Sequence, residues 1–228
     1  MKYSTIKNAV FLKRPNRFIA HVLLDNKEET VHVKNTGRCR EILNTGTPVI
    51  LEESTNPNRK TKYSLIAGFK DRTLINIDSQ APNQVVYEAL KQDKIQEISR
   101  IHTLKREVNY KSSRFDLYFE NNFGRGFIEV KGVTLEEDGI AMFPDAPTER
   151  GTRHVLEMIN AVENGYCGYI FFLIQLKGVI CFTPHRLMDP DFAKALKYAK
   201  EKGVIILAYD SIVTANEITI GSQLEVRL

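Results

Sequence analysis

Asp116, Glu129 and Lys131 are the residues of this chain whose types and spacing could do phosphate chemistry. They fall within Ser113–Val133, SRFDLYFENNFGRGFIEVKGV. Phe115, Leu117 and Phe119 alternate with polar residues on its first arm. Ile128 and Val130 alternate with Glu129 and Lys131 on its second, which is the period of a half-buried strand. Asn121, Asn122 and Gly124 supply a turn. Folding the hairpin between Asn122 and Phe123 sets Asp116 opposite Glu129, Leu117 opposite Ile128 and Phe115 opposite Val130. One face is then apolar and the other carries Asp116, Glu129 and Lys131. Opposed residues have Cβ atoms about 4.5–5.5 Å apart, and two carboxylates that close repel unless a cation sits between them. A hard divalent cation, Mg²⁺ or Mn²⁺, suits oxygen ligands of this kind. Lys131 could orient a water or stabilise developing negative charge. The competing reading is an exposed strand face of solvated charges. A slip of one residue in the register would break the constellation.

The other chemistries that sequence can announce are absent. There is no Walker, GxGxxG, GxSxG or HExxH pattern. Cys39, Cys167 and Cys181 are odd in number and scattered, which fits neither a disulfide framework nor a zinc site and predicts a reducing cytoplasm. No apolar run reaches the length of a membrane span, and the N-terminus lacks a signal-peptide core, so no membrane association is expected.

Charge divides the chain unevenly. Residues 1–80 hold 14 Lys or Arg against 8 Asp or Glu, whereas residues 81–228 hold 18 against 20. A basic N-terminal third is the footprint expected of a polyanion-binding part. Strand patterns recur there at 9–24 (one bent strand or two short ones), 30–34, 48–52, 63–69 and 74–77, with a short helix in 35–43. About five short strands predict an OB-like β-barrel over residues 1–80. Such barrels bind nucleic acid through basic grooves and aromatic platforms. Lys13, Arg14, Arg17, Arg38 and Arg40 are the candidate contacts, with Phe11, Phe18, Tyr63 and Phe69 as candidate stacking rings.

Residues 81–228 read as a second domain that must position the hairpin. Asn83 is the expected cap of a helix running to about Gln92. Residues 94–112 have no clear period. After the hairpin, Gly139–Phe143 reads as a third strand. A helix follows, capped by Thr148 or Asp145 and ending at Asn164–Gly165, with Val155, Met158, Ile159 and Val162 inward. Arg150, Arg153, His154 and Glu157 fall on its other face, where Arg150 and Arg153 could grip phosphate. Tyr166–Leu176 is a strand buried on both faces, with Val179–Phe182 as its expected partner. A helix to Lys202 and further strands complete the chain.

This αβββαβ order with D…E-x-K resembles the PD-(D/E)xK nuclease superfamily. The resemblance implies Mg²⁺ held by Asp116, Glu129 and the carbonyl of Val130, with Glu88 or Glu107 completing the site. The segments LKRPNRFIAHV, VKNTGRCREIL, SSRFD and IEVKGVTLEEDGIAMFPDAPTERGTRH together resemble the sugar fermentation stimulation protein (SfsA) family across essentially the whole chain. That resemblance implies a DNA-binding protein with a role in regulating sugar metabolism, built as an OB-like domain before a nuclease-like domain. The expectation is therefore a Mg²⁺-dependent DNA phosphodiesterase, acting on single- or double-stranded DNA. The alternatives are a regulator that keeps the nuclease fold without cutting, and a single-strand RNA binder. Oligomeric state, a homodimer included, is left open.

Overall fold

The computed structural model describes residues 1–35 and 37–228. The chain begins with β1 (Ile6–Asn16), β2 (Ile19–Leu24), β3 (Lys27–Val33), β4 (Pro48–Glu53) and β5 (Tyr63–Lys70). Pairing runs β3-β2-β1-β4-β5, and parallel β3–β5 bridges at His32–Ser64 and Val33–Leu65 close these five into a barrel. β6 (Thr73–Asn76) extends β5 antiparallel. The 9–24 stretch is two strands because Asn16 Oδ1 accepts the N–H groups of Phe18 and Ile19, closing a turn after Pro15. Asp25 and Asn26, at φ 50° and 62°, make the tight turn into β3. The expected helix in 35–43 does not form. Arg40–Ile42 is a turn, and Thr36 lies outside the described residues. Buried Ile42 and Leu43 there close one end of the barrel core.

α1 (Ala81–Lys91) opens with Pro82 in its first turn, where the missing N–H costs nothing. Its N-cap is Gln80, so Asn83 is not the cap and its side chain is free for another task. The unreadable 94–112 segment holds β7 (Ile101–Tyr110), an edge strand none of whose residues is fully buried, so that it carries no core period. β8 (Ser113–Asn121) and β9 (Gly124–Val133) are the expected hairpin, followed by β10 (Leu135–Glu137), β11 (Ile140–Phe143) and α2 (Glu149–Glu163). Then come β12 (Cys167–Ile174), β13 (Cys181–Pro184), α3 (Pro190–Glu201), β14 (Ile205–Val213), β15 (Ile218–Gln223) and β16 (Glu225–Val226).

The main sheet has the order β15-β14-β12-β9-β8-β7, with β12 parallel to both β9 and β14. Its three-strand meander is thus β7-β8-β9. Gly139–Phe143 instead enters a small second sheet, β10-β11-β13-β16. Val179–Phe182 likewise does not pair with β12: Cys181–Pro184 runs parallel to β11. The outcome is an OB-type barrel followed by a nuclease-like α/β domain. α1 covers one face of the main sheet, its Val85, Val86, Ala89 and Leu90 clustering with Leu117, Ile128, Val130 and Phe171. α2 covers the other, with Val155, Met158 and Ile159 against Phe127, Ile170 and Phe172. No helix among the described residues is long and apolar enough to cross a membrane.

The two halves share a polar tie. Gln175 donates its side-chain amide to Asn76 Oδ1 at 2.9 Å and to the Asp78 carbonyl at 3.1 Å, and its own carbonyl accepts the Asn76 N–H. Asn76 in turn donates to Tyr3 Oη. Gln175 is a buried polar residue just after the apolar strand β12, and this tie is its use.

Candidate active site

The hairpin has the register that alternation predicts: Leu117 faces Ile128, and Asn121 faces Gly124 across the turn. The ladder ends at that pair, and Asp116 does not stand squarely opposite Glu129. Instead Asp116 Oδ2 accepts the Val130 N–H at 2.8 Å, while Oδ1 accepts from the Asn83 amide of α1 at 2.7 Å. On the other side Glu107 adopts φ 53°, interrupting the β7–β8 ladder at the same level. The strand therefore twists here. Phe115 packs on the α2 face against Phe127, 5.1 Å between centroids, whereas Leu117 packs on the α1 face.

Glu129 and Lys131 share the α2 face. Glu129 is 2 % exposed, and its Oε1 accepts from Lys131 Nζ at 2.7 Å and from His154 Nδ1 at 2.5 Å. Its Oε2 is buried without any partner among the described residues. His154 is itself buried, with the exposed Arg150 side chain 3.5 Å from its Nε2. The helix start aims it. Thr148 caps α2 by accepting the Gly151 N–H at 3.0 Å, and the Thr148 N–H is held at 2.8 Å by Asp189, which also caps α3.

The two carboxyls differ in how readily they ionise. Burial, then the charge of Glu129, pushes Asp116 up to about 6, against the opposing pull of the Val130 N–H, Lys131 and Asn83. Burial also works against ionisation of Glu129, but the bonds from His154 and Lys131 hold its carboxyl below the usual range. Among the described residues no trio of His, Cys, Asp and Glu side chains is arranged as a metal cage. What is present is a pair of hard carboxylate donors flanking the Val130 peptide. One oxygen, Glu129 Oε2, has lost water and gained no partner, a cost of about 1–3 kcal/mol that a bound cation would remove. On that observation the residues fit a hard divalent ion.

Neither expected third acid is here. Glu88 is taken up by the Met1 amino group at 2.7 Å and by Gln84, and Glu107 is exposed beside Arg114. Asn83 occupies the α1 position instead. Arg150 reaches His154, which in turn bonds Glu129. Arg153 does not: it lines a separate groove of about 430 Å³ with Lys111, Leu156 and Asn160. His154 was expected outward. Its spacing to Met158 and Ala161, four and seven residues on, is the signal that puts it on the inner stripe.

Lys13, Arg14, Arg17, Arg38 and Arg40 do come together, around a barrel concavity of about 410 Å³ with Phe11 and Leu43. Arg14 is committed to structure, since its guanidinium donates to the carbonyls of Arg17, Asn35, Gly37 and Arg38. Phe11 and Tyr63 are core residues. Phe69 is half-buried and Phe18 is exposed, with Arg17 5.1 Å over its ring.

Comparison with known proteins agrees with this architecture. Residues 12–77 match the family model described as the SfsA N-terminal OB domain. Residues 80–217 match the one described as the sugar fermentation stimulation protein RE domain. A sugar fermentation stimulation protein homolog of Alkaliphilus oremlandii is 56 % identical over 99 % of this chain and 98 % of its own length. A homolog from Clostridium botulinum strain Hall is 54 % identical over 98 % of this chain and 97 % of its own. A solved structure, that of Pyrococcus furiosus SfsA in complex with Ca²⁺, superposes with TM-score 0.91 at 31 % identity, covering 100 % of this chain and 98 % of that one. With both of its parts matched and full-length relatives above half identity, this chain belongs to the sugar fermentation stimulation protein family.

Proposed function

We propose that this protein binds DNA through its barrel and hydrolyses phosphodiester bonds at Asp116, Glu129 and Lys131 with Mg²⁺ or Mn²⁺. The observation that carries the reading is the asymmetry of Glu129: Oε1 is fixed by two donors and Oε2 is buried with none. Asp116, Glu129 and the Val130 carbonyl are the residues that would hold the ion. The Ca²⁺ complex of the Pyrococcus furiosus relative supports a divalent cation in this family. When bound, such an ion supplies positive charge to a phosphoryl oxygen and an acidified water. The chain's own residues do the rest. His154 and Lys131 keep Glu129 ionised and oriented. Lys131 carries a proton at Nζ toward the charge that develops on the phosphate. Arg150, exposed beside His154, would meet a non-bridging phosphate oxygen.

A screen of single-stranded, duplex, flapped and branched DNA with each metal tests the reaction. Metal-dependent products are the expected result. Salt-dependent binding with no cleavage in any of them would instead establish the non-cutting regulator. Preferential competition by single-stranded RNA would favour an RNA partner.

Barrel binding is tested separately. Each neutralised phosphate releases counterions, so replacing Lys13, Arg17, Arg38 and Arg40 by Ala should weaken binding to every sequence. It should also flatten the dependence of log affinity on log salt by about 0.7–0.9 per lost contact. Arg14→Ala should chiefly lower the melting temperature, because four backbone carbonyls lose their donor. Wild-type affinity and slope in the four-residue variant would remove the barrel concavity from the binding surface.

A further inference from the structure

α1 carries Asn83, Tyr87 and Lys91 at successive spacings of four, which places them along one stripe of the helix. The Asn83 end of that stripe touches Asp116. About 6 Å further along the axis, at 1.5 Å per residue, is the half-buried ring of Tyr87. Two cations attend it. Lys91 Nζ is 5.0 Å and Arg106 Cζ 5.3 Å from its centroid. Arg106 projects from the exposed edge strand β7, next in sequence to Glu107, and is steadied by Gln84 Oε1 at 2.6 Å. A concavity of about 330 Å³ opens beside the ring, walled by Leu90, Lys91, Asp93, His102 and Leu104. The tyrosine thus presents an aromatic body to an open pocket, with Lys91 and Arg106 over its ring and the Asn83–Asp116 contact one helical turn away.

We propose that Tyr87 is a stacking subsite for an unpaired base of the DNA strand whose phosphate reaches Asp116 and Glu129. Lys91 and Arg106 would hold the phosphates on either side of that base. This assignment rests on the DNA-cleaving reading above and narrows its substrate to single-stranded or locally unpaired DNA. A base inside a duplex has both faces covered by its neighbours and offers no ring to Tyr87, whereas an unpaired base of any identity does. A stacked strand rises about 3.4 Å per nucleotide, so the 6 Å offset puts the stacked base one or two nucleotides from the phosphate at the carboxylates. Lys91, exposed and flexible, can leave the ring for a phosphate as a base arrives.

The test uses the full chain in EDTA, where binding is read without turnover. The probes are an oligonucleotide scanned with 2-aminopurine and a matched set carrying one abasic position. Tyr87→Ala should lose about tenfold in single-strand affinity, within the range for removing one aromatic–base stack. Tyr87→Phe should retain it, and duplex affinity should change little in either variant. In wild type, 2-aminopurine should be quenched at one register. An abasic site at that register should cost wild type the same tenfold and cost Tyr87→Ala nothing further. Quenching and abasic penalties in wild type need no variant to fold, and their absence at every register would overturn the subsite. So would a folded Tyr87→Ala protein with wild-type affinity. Binding by wild type with neither effect sinks the subsite alone. No DNA binding by wild type sinks the DNA reading with it. Base-dependent binding without cleavage in Mg²⁺ or Mn²⁺ leaves the subsite standing and removes the nuclease.

Discussion

Lys131→Ala is expected to bind Mg²⁺ or Mn²⁺ at least as tightly as wild type and to cleave DNA about 10²–10³-fold more slowly, the usual cost of removing one preorganised donor to developing charge. Lys131 shares Glu129 Oε1 with His154, so the carboxylate stays anchored when the lysine is lost. Removing a positive charge beside the metal position also removes repulsion. Asp116→Asn should show the opposite pattern, with metal affinity falling at least tenfold because one of only two carboxylates is gone, and cleavage falling with it. Calorimetric titration of metal into the three proteins, beside a cleavage assay, separates the two. Wild-type protein that takes up no divalent ion at millimolar concentration, with or without DNA, would end the catalytic reading. Equal loss of metal by both variants would end the assignment of Lys131 to a step after binding.

Asp116→Asn should also make the metal-free protein more stable at pH 8 by about 2 kcal/mol, with no gain near pH 4. Folding raises the Asp116 carboxyl from 3.8 to about 6. The folded state therefore holds that proton more tightly than the unfolded chain. Its contribution to stability is fully present below pH 3.8 and is lost as pH rises through 6. Two units at 1.36 kcal/mol each set an upper bound of about 3 kcal/mol, trimmed here for relaxation around the charge. The amide can keep both bonds of Asp116 if Asn83 turns its oxygen inward: one group accepts from Val130 and the other donates to Asn83. At about 2–4 °C per kcal/mol for a chain of this size, the melting temperature in EDTA should rise by about 5 °C. Saturating Mg²⁺ should shrink that gain by about 1.4 kcal/mol for each tenfold of affinity the variant has lost, because an ion stabilises the folded protein it binds by mass action. Equal or lower melting at pH 8 would show that burial and the charge of Glu129 do not together raise the Asp116 carboxyl in the free protein.

The hairpin was legible because strict alternation and an Asn-Asn-Phe-Gly turn leave one register that buries Phe115, Leu117 and Ile128. The break at Asp116 was not, since it depends on the conformation of Glu107 one strand away. β7 escaped reading because an edge strand with no fully buried residue carries no core period. The pairing of β13 with β11 was hidden for another reason: parallel strands meet through distant sequence, and nothing local selects the partner. In the site, residue types announced Asp116, Glu129 and Lys131. His154 and Asn83 act through positions on helices whose docking faces only the tertiary structure defines. The five barrel cations were readable as a group, but not the diversion of Arg14 to backbone carbonyls.

The tie through Gln175 sets how the molecule is made as well as how it is held. Tyr3 donates its N–H to Asn216, Lys2 bridges Glu217, and the Tyr3 ring sits in one hydrophobic cluster with Ile50, Val85 and Ile218. Contacts spanning more than 200 residues are those whose loop-closure entropy is met last, and they slow folding. A ribosome-bound chain that has finished the barrel still lacks Asn216 and Glu217, to which Tyr3 and Lys2 are tied, and its Tyr3 and Ile50 surface stays wet until that segment emerges. Chemical denaturation should accordingly remove barrel and nuclease-like domain together, in one transition with a steep denaturant dependence.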